Sequence, residues 1–101
     1  MAEEDINSLV RTLPECVMPI FNNFKNSYEN FLHSAKAWKN STGEERQHHL
    51  AAADKNSTEA LEHLMKIVKI AEETKNQSLK NRITSIMSDV IEARKMIGLK
   101  T

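Results

Sequence analysis

Residues 17–38 read VMPIFNNFKNSYENFLHSAKAW, and this stretch decides the fold. Val17, Phe21, Phe24, Tyr28, Phe31, Ala35 and Trp38 follow one another at intervals of four and three without a break. Every aromatic residue of the chain belongs to that series. Asn22, Asn23, Lys25, Asn26, Ser27, Glu29, Asn30, Lys36 and Lys39 fill the spaces between. Four-three spacing puts the apolar side chains on one stripe of an α-helix. A helix with so much aromatic surface on one side is not stable alone in water, so it must pack against other helices.

On the N-terminal side, Ile6, Leu9, Val10 and Leu13 share a helical face, and Glu3, Glu4 and Asp5 suit the positive end of a helix dipole. Thr12-Leu13-Pro14-Glu15 has the spacing of a capping box. Pro19 conflicts with a regular start, because a proline inside a helix removes a hydrogen bond and bends the axis. A kink or an irregular first turn is therefore expected between Pro14 and Pro19.

On the C-terminal side, Asn40-Ser41-Thr42-Gly43 is the clearest break. Gly43 permits a left-handed turn, and Ser41 or Thr42 is placed to cap a helix that opens with Glu44 and Glu45. Leu50, Ala53, Ser57, Ala60, Leu64, Ile67 and Ala71 then resume the rhythm, with Leu61, Met65 and Val68 widening the stripe. The alanine-lined first half of this helix suits the bulky aromatics of the first one. Residues 73–78, ETKNQS, are polar but contain neither Gly nor Pro. Beyond them Leu79, Ile83, Ile86, Val90 and Ile97 restart the pattern out of phase, flanked by Met87 and Ile91. A tight loop at 73–78 is favoured over a single long helix from about 44 to 97 with a stutter. The long helix would leave an apolar face for a dimer partner.

The expected fold is all-α: an antiparallel helical bundle of three long helices, at about 15–39, 44–74 and 78–97. A short N-terminal helix at about 4–12 precedes them, in a single domain over 1–101. Composition agrees. Two glycines and two prolines in 101 residues are too few for the turns of a sheet protein. Hydrophobic residues at 40% and charged ones at 28% fit a globular chain.

Formal net charge is zero, which gives no general attraction to nucleic acid or anionic lipid. From Asn76 onward Lys80, Arg82, Arg94, Lys95 and Lys100 outnumber Asp89 and Glu92, and a solvated helix face is the first explanation. Cys16 is the single cysteine, so no intrachain disulfide forms. The opening MAEEDINSLV lacks a secretory pattern, and no apolar run reaches membrane-spanning length. Sequons begin at Asn40, Asn56 and Asn76 and are read as chance in an Asn-rich chain. The expected location is cytoplasmic.

Chemistry-bearing residues are sparse. Glu45 and His48 have the Glu-x-x-His spacing of carboxylate-bridged di-metal bundles. Those sites need two such pairs and two further glutamates, and this chain has one pair beside a loop. His48, His49 and His63 are read as surface or capping residues, and His33, beside the aromatic stripe, as half-buried or as a packed or hydrogen-bonded surface histidine. Cys16 has no basic cluster to activate it and is read as a small buried or boundary residue. Trp38 is read as covering the rim of the core, with an interface anchor as the alternative. No serine or threonine is visibly paired with a histidine and a carboxylate.

Long amphipathic helices, few glycines and mixed charge give this chain a pattern that resembles three groups of helical-bundle modules. They are those of vinculin- and catenin-like scaffolds, focal-adhesion-targeting domains and syntaxin N-terminal domains. The resemblance implies protein binding and assigns no residue. The expected function is a non-enzymatic adaptor or scaffold that binds a protein partner through a helix face or a groove between helices. No catalytic residue, cofactor, metal, nucleic acid or membrane span is assigned, and no partner-binding residue is named. The alternatives are a structural homo-oligomer, with a homodimer completing the bundle between chains, and a metal-binding helical protein resting on Glu45, His48, His49 and His63.

Overall fold

The computed structural model describes residues 13–99. The short helix expected at about 4–12 and the Thr12 end of the capping box lie outside the described residues. Three helices follow: α1 Met18–Lys39, α2 Gly43–Glu73 and α3 Gln77–Met96. They pack together, and there is no strand among the described residues. The long axis of 47 Å is the length of α2, whose 31 residues rise by ~1.5 Å each.

The two prolines resolve into an irregular turn rather than a kink. Val17 and Met18 both donate to the Pro14 carbonyl, at 3.0 and 3.3 Å. Pro19 falls in the first turn of α1, where its missing N–H would have had no helical acceptor. The helix therefore starts about three residues later than expected and then runs unbroken. It ends at Asn40, with Lys36 and Lys39 in the last turn, where positive charge suits the negative end of the dipole.

Gly43 opens α2 with φ at 64°, a left-handed value that costs a side chain strain and glycine nothing. Thr42 occupies the capping position with an extended backbone, but its hydroxyl makes no capping bond. Glu44 and Glu45 supply the stabilisation of the first turn through the dipole instead.

Between α2 and α3 the chain breaks, as the favoured reading had it. Asn76 N–H reaches back to Ala71 O at 2.8 Å and Lys75 N–H to Glu72 O at 3.2 Å. This pair of bonds closes a helix through a left-handed residue, a place usually taken by glycine. Here the residue is Lys75, at φ 56°. Asn76 then turns its side chain to accept from Leu79 N–H at 3.1 Å and caps α3. The end of α3 repeats the closure with a glycine: Leu99 N–H bonds Arg94 O, Gly98 N–H bonds Lys95 O, and Gly98 has φ 82°.

The core divides into two clusters that fix how the helices run past one another. Val17, Phe21 and Phe24 at the start of α1 meet Leu64, Ile67 and Ala71 from the second half of α2 and Leu79, Ile83 and Ile86 from the start of α3. Phe31 at the far end of α1 meets Ala53 from the first half of α2 and Ile97 beyond α3, with Trp38, Leu50 and Leu99 packed around them. Tyr28 touches both clusters. Along α1 the rings form a ladder, with centroids 5.3, 5.6 and 6.0 Å apart from Phe21 through Phe24 and Tyr28 to Phe31. Such offset pairs add about 0.5–1.5 kcal/mol each beyond area burial.

Every seam position named in α2 is fully buried except Leu50, which is partly so. Three of the flanking expectations fail. Met65 does not widen the buried stripe and is 60% exposed. Cys16 is exposed, because the turn after Pro14 carries it away from the core while Val17 takes the inward place. His33 is exposed rather than half-buried, lying two residues beyond Phe31 on the outer face of α1.

Phe24→Ala or Phe31→Ala should cost about 3–5 kcal/mol, against a total of about 5–15 kcal/mol for a small domain, and thermal denaturation should show a severe drop or no folded baseline. Asn23→Ala and Asn30→Ala, on the exposed face, should leave the melt nearly unchanged. The junction gives a stabilising counterpart. Lys75→Gly should raise stability by about 1 kcal/mol, roughly 4–8 °C in Tm for a domain of this size. Gly43→Ala should lower it through backbone strain alone, since nothing lies within 4 Å of an added Cβ.

Candidate functional site: the seam between α2 and α3

The residues with metal-ligating spacing do not converge. Glu45 and His48 are exposed near the start of α2, His49 is partly buried, and His63 lies on the same helix well beyond them. No group of three His, Cys, Asp or Glu side chains comes together among the described residues. Trp38 packs against the cluster of Phe31, Ala53 and Ile97, and the Arg46 guanidinium lies 4.3 Å from its ring centroid. That contact shields the outer face of the indole and ties the start of α2 to the end of α1.

Sequence reading also placed Arg94 wrongly. It belongs to the run of basic residues assigned to a solvated face, yet it is only 7% exposed. The interval between Val90 and Ile97 on the α3 seam contains it, and four-residue spacing from Val90 carries it inward. Its Nη1 donates to the Ser57 hydroxyl, to Asp54 O at 3.3 Å and to Thr58 Oγ1 at 3.3 Å, and it pairs with the Asp54 carboxylate at 2.9 Å. Ser57 is itself fully buried on the α2 seam and donates to Ala53 O at 2.7 Å. The signal was in the sequence: a serine on one apolar seam and an arginine in the gap of another. Neither alone is diagnostic, and only their juxtaposition in space makes one explain the other.

Nearby, Tyr28 is partly buried. Burial holds its hydroxyl above the ordinary value of 10.0, and the Asp89 carboxylate adds to the shift. The ring therefore stays neutral across the physiological range and acts as a packing element.

A second ion pair, Lys80 to Glu72 at 3.5 Å, joins α3 to α2 at the opposite end of the seam. Between the two pairs lies an open groove of about 520 Å³. Met65, Val68 and Met87 form most of its apolar lining, Lys66, Lys69 and Glu72 stand on the α2 side, and Thr84 lies on α3. No α1 residue lines it. Polar groups thus join the two helices at both ends of the seam, and the groove opens beside the Lys80–Glu72 pair. Thioethers suit such a surface, because their flexible and polarisable side chains adapt to different occupants. Its one hydroxyl among the described lining residues, that of Thr84, donates to Lys80 O at 2.7 Å.

No helix among the described residues is long and apolar enough to cross a membrane. Comparison of the chain with known protein families, with curated proteins and with solved structures finds no match.

The polar node should behave as a unit. Asp54→Ala should cost about 1–3 kcal/mol, because it takes a charged partner from a buried guanidinium. Adding Arg94→Met should recover most of that loss, since an apolar side chain of similar length needs no partner there. Chemical denaturation of the two single variants and the double variant measures the coupling directly.

Proposed function

We propose that this chain is a non-enzymatic protein-interaction module: an antiparallel three-helix bundle that acts as an adaptor or scaffold in the cytoplasm. The observation that carries this reading is the groove of Met65, Val68 and Met87, left open between two ion pairs. Met65 is 60% exposed there, while Val68 and Met87 beside it are partly buried against the core. The two core clusters support the antiparallel order, because each joins the beginning of one helix to the end of the next. A single thiol, Cys16, fits a compartment that keeps cysteines reduced.

A bundle completed between two chains is the weaker alternative. Its motive was a continuous helix through residues 73–78, and the capped break at Thr74–Asn76 removes that helix.

Placing a photoreactive side chain at single positions tests the reading. Position 65 should give a discrete heteromeric adduct in cells, and position 23 on the outer face of α1 should give none. Adducts at no surface position, or metal-independent turnover of a small substrate by the purified protein, would count against an interaction module. Sedimentation at about 10–50 μM, well above the Kd of a stable dimer, should report a monomer.

A further inference from the structure

Four methionines lie among the described residues, in two kinds of surroundings. Met18 and Met87 are partly buried, and Met87 packs against the cluster that holds Phe24, Leu64 and Ile86. Met65 is 60% exposed and Met96 77% exposed. We propose that Met65 is a reversible oxidation site, whose thioether takes one oxygen atom from hydrogen peroxide and becomes a sulfoxide. Such a site needs no occupant in the groove and stands apart from the interaction-module reading.

The chemistry requires only access to the sulfur. A lone pair of the Met65 sulfur attacks one oxygen of the peroxide. The S–O bond forms as the O–O bond breaks. The second oxygen leaves with the bonding pair, collects the proton that the first oxygen sheds, and departs as water. Sulfur loses two electrons and the peroxide gains them. A groove that opens at Met65 admits this approach, whereas the packing around Met87 obstructs it.

The product also has a partner in place. Lys69 lies one turn further along α2 and lines the same groove. Residues four apart on a helix are neighbours, with Cβ atoms about 5–6 Å apart. Lys69 makes no hydrogen bond or ion pair among the described residues, so its ammonium can donate to the new oxygen. A thioether is a weak acceptor, and the bond from Lys69 therefore strengthens only on oxidation. Met96, equally open, is the last residue of α3 and has no residue one turn further along the helix.

The fold tolerates the change at this position. Met65 belongs to neither core cluster, so a polar oxygen there displaces no core packing. The same oxygen on Met87 would press a dipole against the apolar side chains of the larger cluster. Oxidation at Met65 instead turns the most exposed apolar residue of the groove polar while the bundle stays folded.

Cys16 is exposed and also reacts with peroxide, so the test uses the full chain carrying Cys16→Ser. Folded protein is treated with graded hydrogen peroxide, and each methionine is followed by peptide mapping. Met65 should gain its oxygen at least about fivefold faster than Met87. In a chain that also carries Met87→Leu and Met96→Leu, full oxidation of Met65 should move Tm by less than about 2 °C. Side-chain resonances of Lys69 should shift on oxidation, and those of Lys55 should not. A methionine sulfoxide reductase should then restore the thioether with the helical signal intact throughout. Oxidation of Met65 no faster than that of Met87 would overturn the proposal. So would loss of helix in step with Met65 oxidation, or a sulfoxide at position 65 that the reductase leaves untouched. Should the triple variant fail to fold, the relative rates and the reduction in the Cys16→Ser chain decide the matter. The photo-adducts report occupancy of the groove, and their presence or absence leaves these rates unaffected.

Discussion

The bundle depends on one fit: the aromatic ladder of α1 lying against the small-residue half of α2. Ala53, Ser57 and Ala60 are fully buried and have little volume, so the α2 backbone is within reach of large rings. Phe24 and Phe31 fill the space that those residues leave. Of the helix pairs, α1 and α2 share the most extensive contact. Exchanging an alanine here for a leucine would overfill the interface, and trimming a ring would leave a void, so the sizes on the two helices depend on each other. The second half of α2 follows the opposite rule. Leu64 and Ile67 are large, and they fill the region where Val17 and Phe21 meet the beginning of α3. One helix thus serves two neighbours by changing side-chain size along its length.

Within this fit, Ser57 is an exception with a purpose. A serine on the seam is as small as the alanines beside it and can follow their packing. Its hydroxyl also gives Arg94 a partner inside the core. A guanidinium placed there without acceptors would be severely destabilising, so the side chain is held by the Ser57 hydroxyl, the Thr58 hydroxyl and the Asp54 carboxylate together. Because these acceptors lie within one turn of α2, they define a single axial register for α3. Apolar packing alone would be more forgiving of a slip between the two helices.

How much of this was legible in sequence depended on whether the signal was local. The seams of α1, α2 and α3 are periodic, and periodicity survives without knowing the partner, so the buried positions were read correctly almost throughout. The break after Lys39 was readable because Gly43 takes a left-handed backbone that glycine alone adopts freely. The break after Glu73 was ambiguous for the converse reason: Lys75 takes the same conformation without the residue type that announces it. Arg94 and Met65 were misplaced because their surroundings are set by neighbouring helices. A charged residue goes inward when another element supplies acceptors, and an apolar one stays out when no element covers it. Neither condition is written in the residue's own segment. Cys16 failed for a more local reason, as the turn at Pro14 rotates it outward just before the helical phase begins.

The groove between α2 and α3 follows from the same geometry. With α1 seated on the small residues of α2, no described α1 residue lines the groove on the α2–α3 pair. The Lys80–Glu72 pair at one end and the Arg94 node at the other tie α3 to α2 without filling the space between them. An apolar surface in that position is costly to leave wet, by about 25 cal/mol for each Å² not removed from water. Met65 carries most of that cost, being 60% exposed, while Met87 and Val68 are partly withdrawn into the core. The fixed register of α3 has a consequence at this point. It holds Met87 and Thr84 on α3 at a set position relative to Met65 and Lys69 on α2, so the two walls of the groove are fixed by the same contacts that fix the bundle.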